Sequence, residues 1–487
     1  MIGLIQKLFQ PKPSQAPIQL ELADIQGFLL SGYGHLAQTR YLFFKIEHPQ
    51  QVKRWLDGLI RNQHITSAQW DAKPDAAMNL ALTYEGILQL TDSESLQTSF
   101  AKEFREGMQH PERSRRIGDA GTLNDPAYWD NDWHQDGIHL LMILQAQPEQ
   151  MEAFMQQHLT DAEGVTLICV EEGSLPADHK EHFGFRDAIS QPTVEGSPQA
   201  QKPQALDSQL TKAGEFILGY RNEDGNYPDT PYVHISEDMT NALAPLPDRT
   251  KRDFGRNGTY LVYRKMDQDV AGFRRYFRDA FETPELGQKM AAKAVGRWPS
   301  GVSLVDSPEV DPGDRPGLIP NDFLYRDRDP QGSRCPFASH VRRLNPRDSQ
   351  GETSEDALKS AQRRRIIRRG TLYGDPLPPE QYESDGQSRG LHFLCMNANL
   401  RRQFEFLQQS WVNNPKFHGL YDERDPLIGV NPDNSNRTFT VPQADGAQTL
   451  SLPNFVTVRG GAYLFLPSLS ALRFLAQAST PSSSLNT

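Results

Sequence analysis

Tyr41-Leu42-Phe43-Phe44-Lys45-Ile46 is followed by Val52, Trp55, Leu56 and Leu59. The first run reads as a buried strand, and the second set recurs at the spacing of one helix face. The same strand-plus-helix unit returns along the chain. His139 to Leu144 precedes Met151, Phe154, Met155 and Leu159, and Thr259 to Tyr263 precedes Val270, Phe273, Phe277 and Phe281. Leu391 to Met396 precedes Leu400, Phe404, Leu407 and Trp411, and Ala462 to Leu466 precedes the stretch Ser468 to Ala478. Units so widely spaced, with long irregular loops between them, point to α+β layers rather than a regular doubly wound sheet.

Ser197 to Pro247 is rich in Pro, Gln, Asp and Asn and reads as the connection between two halves. The expected domains are residues 19–235 and 236–478, with flexible tails at 1–18 and 479–487. Loops 297–338 and 346–356 are too long for plain connectors, and such loops usually cover something.

With 487 residues and a formal net charge of -11, the chain has material for several domains but no dominant basic face for nucleic acid. Three cysteines, Cys169, Cys335 and Cys395, form no CxxC pair, so neither a disulfide framework nor a structural zinc site is expected. The short apolar run at residues 2–9 has no preceding basic region, and no run of 18 apolar residues occurs. A cytoplasmic protein with no membrane partner is the expectation; an interfacial role is the most that residues 2–9 suggest.

Three stretches could carry chemistry. Phe183-Gly184-Phe185-Arg186-Asp187-Ala188-Ile189-Ser190-Gln191-Pro192 places an Asp between aromatics and a Pro-terminated turn. Alone, Asp187 is an ordinary turn or cap residue; in an apolar pocket it is an acid/base. Cys335 to Arg347 sets His340 beside Arg342, Arg343 and Arg347, a pattern that suits a haem ligand with cations for the propionates, although such a run is more often a solvated loop. Arg363 to Arg369 holds five arginines in seven positions around Ile366 and Ile367, so Arg368 sits where an extended segment enters a pocket.

Taken together and in this order, these segments resemble the dye-decolourising peroxidase family. Gly184-Phe185-Arg186-Asp187 resembles its GFxDG-type motif, the His340 stretch its proximal-ligand segment, and Ile367 to Gly374 its distal-arginine segment. Ala188 departs from a position that often carries glycine there, which matters if φ is positive. The resemblance spans about Asp24 to Ala471. It implies two ferredoxin-like domains, antiparallel sheets with peripheral helices, enclosing one haem b per chain. His340 is implied as the iron ligand, Asp187 and Arg368 as the catalytic pair, and hydrogen peroxide and an organic reductant as partners. Glu405 is implied as the carboxylate orienting His340, with Asp348 as the local alternative. Leu391 and Phe393, two apart on a strand, face one side and resemble pocket-lining residues. His182 and His392 are set aside, the first as solvent-facing and the second as pointing away from Leu391 and Phe393. A haem carrier or deferrochelatase-like iron-release protein is the competing reading, as is a haem-free binding protein.

Overall fold

The computed structural model describes residues 18–479 except 134–136, 204–205, 315–318 and 444–445. The expectations for the N-terminal apolar run and for nearly all of both tails lie outside the described residues. Strand β1 (Gln38–Ile46) runs antiparallel between β3 (Leu140–Ala146) and β4 (Val165–Ser174), and β2 (Ala76–Leu82) pairs with β3. Helix α1 (Pro49–Arg61) follows β1 and α2 (Pro148–Leu159) follows β3. The order β4-β1-β3-β2 with two crossover helices is the ferredoxin-like split βαβ arrangement.

The pattern repeats. Strand β5 (Thr259–Gln268) lies between β8 (Gly390–Asn397) and β9 (Val456–Leu466), and the short strands β6 (Ile367–Arg368) and β7 (Thr371–Tyr373) pair with the far side of β8. Helix α3 (Val270–Asp279) follows β5 and buries Val270, Phe273 and Phe277, as their spacing requires. The two sheets meet at both edges, through Phe465 opposite Leu82 and Leu372 opposite Ser174, so the strands form a closed ring. Closure removes the open sheet edges that otherwise invite aggregation.

One large core fills the space between the sheets and takes residues from both, with Tyr263 packed on Tyr41 at 5.8 Å and on Phe43 at 5.0 Å between ring centres. A second core lies in the C-terminal half under α3 and α4 (Pro284–Val295), and it includes Phe183 and Phe185 from the earlier part of the chain. Residue 235 falls at the end of Tyr232–His234, a strand of a small sheet with Ala244–Pro245 and Lys251–Asp253. Among the described residues no helix is long and apolar enough to cross a membrane.

Candidate active site

His340 opens a five-residue helix, α5 (His340–Leu344); Ser339 precedes it at the N-cap position without bonding the helix amides, its hydroxyl donating instead to the Lys293 carbonyl at 2.5 Å. The arginines beside it fasten this helix. Arg342 donates to the Asp329 carboxylate at 2.8 Å and the Cys335 carbonyl at 2.7 Å, with its guanidinium 4.2 Å from the Tyr325 ring centre and 4.4 Å from that of Phe337. Arg343 donates to the carbonyls of Trp411, Glu423 and Asn414 at 2.6, 2.9 and 2.8 Å. The charge of Arg342 is paired with Asp329, and every guanidinium nitrogen of Arg343 donates to a backbone carbonyl, so the expectation that these two meet propionates does not hold.

The carboxylate on His340 is also not the expected one. Nδ1 of His340 lies 2.9 Å from Asp425 Oδ2 and 3.1 Å from Oδ1. Asp425 is fully buried and accepts backbone N–H bonds from Leu427 at 2.9 Å and Ile428 at 3.0 Å. Burial raises its pKa, but His340, those amides and Arg343 outweigh burial and hold the carboxyl below its usual range. Glu405 instead pairs with Arg113 at 3.0 Å and accepts from the Tyr463 hydroxyl at 3.2 Å. Asp348 accepts from the backbone N–H groups of Tyr325 and Arg326. A carboxylate on Nδ1 fixes the imidazole tautomer, leaves Nε2 as the ligating atom and raises its basicity.

Asp187 and Arg368, 181 positions apart in the chain, meet: Arg368 Nη2 is 3.3 Å from Asp187 Oδ1. Phe183 and Phe185 carry the Asp187 segment into the C-terminal core, Phe183 stacking on Phe273 at 4.3 Å. Arg368 is set by β6, where it lies opposite Cys395, and its backbone N–H donates to the Gln191 side chain at 3.1 Å. The Asp187 side chain is 53% accessible, so its carboxylate is open to a small molecule on the side away from Arg368. Desolvation raises its pKa, but Arg368, the Ala188 N–H, His340 and Arg297 lower it further, and the net value lies below the ordinary one.

Ala188 has φ +64°, the left-handed conformation in which glycine alone is unstrained. On β8, Leu391 and Phe393 are partly accessible while His392 between them is buried on the opposite face, its Nδ1 2.8 Å from the Tyr263 hydroxyl. His182, expected in solvent, is buried with Nε2 2.9 Å from the Tyr373 carbonyl oxygen.

A cluster of buried cations lies near Asp187 and Arg368. Arg347 donates to the carbonyls of Asn321 and Phe323 and to Asn321 Oδ1 at 2.6 Å, while its Nε has no partner among the described residues. Arg297 also donates to Asn321 Oδ1, at 2.7 Å, and to Ser190 Oγ. Arg365 donates to Gln209 and to the Ser190 carbonyl. Arg347 and Arg365 share a narrow cleft, and none of the three forms an ion pair with a carboxylate among the described residues. Burial, together with neighbouring Arg347 and Arg368, pushes the Arg365 guanidinium down to about 9; Arg347 falls to about 10, mainly through burial. Arginines resist deprotonation, so such a cluster calls for an anion instead. Two propionates supply that charge, and an imidazole with a free Nε2 supplies an iron ligand, so the residues present fit a haem. Asp425 and Arg297 carried no sequence signal of their own, and Arg365 was not distinguished within the 363–369 run: Asp425 lies 85 residues from His340 in an ordinary acidic loop.

No protein-family model matches the chain. It is 29% identical to Peroxidase 2 of Mycetinis scorodonius over 95% of this chain and 89% of that protein. It is 32% identical to the multifunctional dye peroxidase DyP2 of an Amycolatopsis species, over 72% of this chain and 75% of that one. Among solved structures it is similar to a fungal DyP-type peroxidase from Auricularia auricula-judae, with TM-score 0.76 and 25% identity, covering 94% of this chain and all of that one. An ancestral D-type dye-decolorizing peroxidase gives TM-score 0.74 and 27% identity, with 94% and 99% covered. The chain belongs to the dye-decolourising peroxidase family. It is a haem peroxidase, an oxidoreductase acting on hydrogen peroxide, and nothing in the relatives favours a haem carrier or iron-release protein.

Proposed function

We propose that this chain binds one haem b through His340 Nε2, with Asp425 behind the imidazole and Arg347 and Arg365 toward the propionates. Hydrogen peroxide is reduced against the Asp187–Arg368 face, and dyes or phenolic-type molecules supply electrons one at a time. When bound, the haem supplies the redox chemistry. Asp187 takes a proton from the near oxygen of peroxide and hands it to the departing one. The Arg368 guanidinium compensates the negative charge that develops there and keeps Asp187 ionised. Leu391 and Phe393 present an apolar wall and exclude water from the wall side. The observation that carries this reading is the 3.3 Å Asp187–Arg368 contact, in a chain whose His340 imidazole is backed by the Asp425 carboxylate at 2.9 Å.

Asp187→Asn is expected to slow the first peroxide-dependent absorbance change by about 100-fold or more, the size of a lost general base, with the haem band retained. Stopped-flow traces that match wild type would remove Asp187 from the mechanism. Because the carboxyl is depressed, its base form persists at pH values below the usual value of about 3.9. Peroxide reactivity is therefore expected to hold into acid and to fall only as pH drops through that depressed value.

The division of the chain into residues 19–235 and 236–478 belongs to the same proposal, supported by the first four strands ending at Ser174 and the second set beginning at Thr259. So does a cytoplasmic location, supported by the three unpaired cysteines, two of them buried.

A further inference from the structure

Asp187 closes a tight hairpin. The Glu181 N–H donates to the Phe185 carbonyl at 3.0 Å, the Gly184 N–H to the Glu181 carbonyl at 2.7 Å and the Asp187 N–H to the His179 carbonyl at 2.9 Å. The Glu181 carboxylate lies inside this turn and accepts three N–H bonds. Oε2 accepts from the Phe183 backbone at 3.0 Å and from the Gln268 side-chain amide at 2.8 Å, and Oε1 accepts from the Phe185 backbone at 3.0 Å. Gln268 is the last residue of β5, in the half of the molecule that carries His340 and Arg368. The charges facing Glu181 are Asp187, which repels it, and Arg274 of α3, which attracts it.

We propose that Glu181 is a positioning residue for Asp187: its carboxylate ties the 179–187 hairpin to Gln268 and so sets where Asp187 stands relative to Arg368. The proposal rests on the reading of Asp187 as the peroxide base. The two phenylalanines bury the hairpin in the second core, but ring packing tolerates sliding, whereas three hydrogen bonds to one carboxylate fix position and rotation together. The need for fixing is local. Ala188, the next residue after Asp187, is held at φ +64°, and a strained residue keeps its conformation only where its surroundings over-determine it. Removing the tie lets the turn relax and carries the Asp187 carboxylate out of line. An amide at position 181 cannot replace the carboxylate, since one of its two ends must donate where the structure asks for an acceptor.

The test compares haem-loaded wild type with Glu181→Gln, Gln268→Leu and Asp187→Asn. Gln268→Leu removes the tie from the strand side and leaves the bonds from Glu181 to the hairpin backbone, so it guards against a folding defect in the first variant. In both Glu181→Gln and Gln268→Leu the rate constant with peroxide is expected to fall at least tenfold, within the roughly 100-fold that a 1 Å misplacement costs. The KM for the organic reductant and the haem band stay at wild-type values. Hydrogen–deuterium exchange across residues 179–188 is expected to quicken in both variants. Exchange at the wild-type rate in both overturns the proposal, as does an unchanged peroxide rate in both while Asp187→Asn is slow. If Asp187→Asn is itself as fast as wild type, the base assignment fails, and the exchange result alone decides whether Glu181 ties the hairpin.

Discussion

His340 gains its character from Asp425. A buried carboxylate on Nδ1 makes the imidazole a stronger donor at Nε2, and the loss of such an outer partner typically costs about 10- to 100-fold in metal-site affinity or activity. Asp425→Asn keeps the volume and removes the charge; haem transfer to an apo-globin acceptor is expected to speed up at least about tenfold, while Glu405→Gln transfers at the wild-type rate. The reverse order would restore Glu405 as the orienting group. The acid dependence follows the same residue: its folded pKa is depressed, so the stability it contributes is present above the unfolded value of about 3.9 and is lost as pH falls through the folded one. Ala188 offers a second change. Its left-handed backbone costs about 1 kcal/mol relative to glycine, so Ala188→Gly is expected to raise the urea midpoint by a corresponding amount. An unchanged or lowered midpoint would show that the turn is not strained.

Among the elements, the segment behind α5 is the least ordinary. Leu407–Val412 is a π-helix, whose wider turn leaves carbonyls turned outward at its end. Arg343 gathers that of Trp411 with those of Asn414, beyond the helix end, and Glu423, and lies 4.6 Å from the Phe417 ring centre. Arg343→Met would leave these carbonyls buried and unbonded, and a loss of about 3 kcal/mol is expected in denaturant unfolding; a loss under 1 kcal/mol would contradict the role given to the π-helix. Sequence periodicity made β1, β3, β5, β8 and β9 legible, because each alternates or runs apolar against a helix face of the right spacing. It also placed Leu391, His392 and Phe393 on their faces. What it missed were partners separated by long loops. The Arg342 and Arg343 side chains look equally free for a propionate in one dimension, and only tertiary packing shows Asp329 and the π-helix carbonyls meeting them first. Nor does a sequence display the backbone angle at Ala188 or the pairing of His340 with Asp425.

At the scale of the molecule, two sheets of the same topology close on one another, and the candidate site draws residues from both sides of the repeat. Asp187 arrives on a hairpin from the first half, fastened by Phe183 and Phe185 in the second core, while Arg368, Leu391 and His340 come from the second. In the function proposed above, one half holds the prosthetic group while the other presents a base to it. The proposed function has His340 Nε2 as the iron ligand at its centre, and titration of haem into the haem-free protein, followed by the Soret band, tests it most directly. Wild type is expected to saturate at one haem per chain, and His340→Ala to fail to develop the same band; a His340→Ala variant that reaches the wild-type band with equal affinity would place the ligand elsewhere and contradict the account.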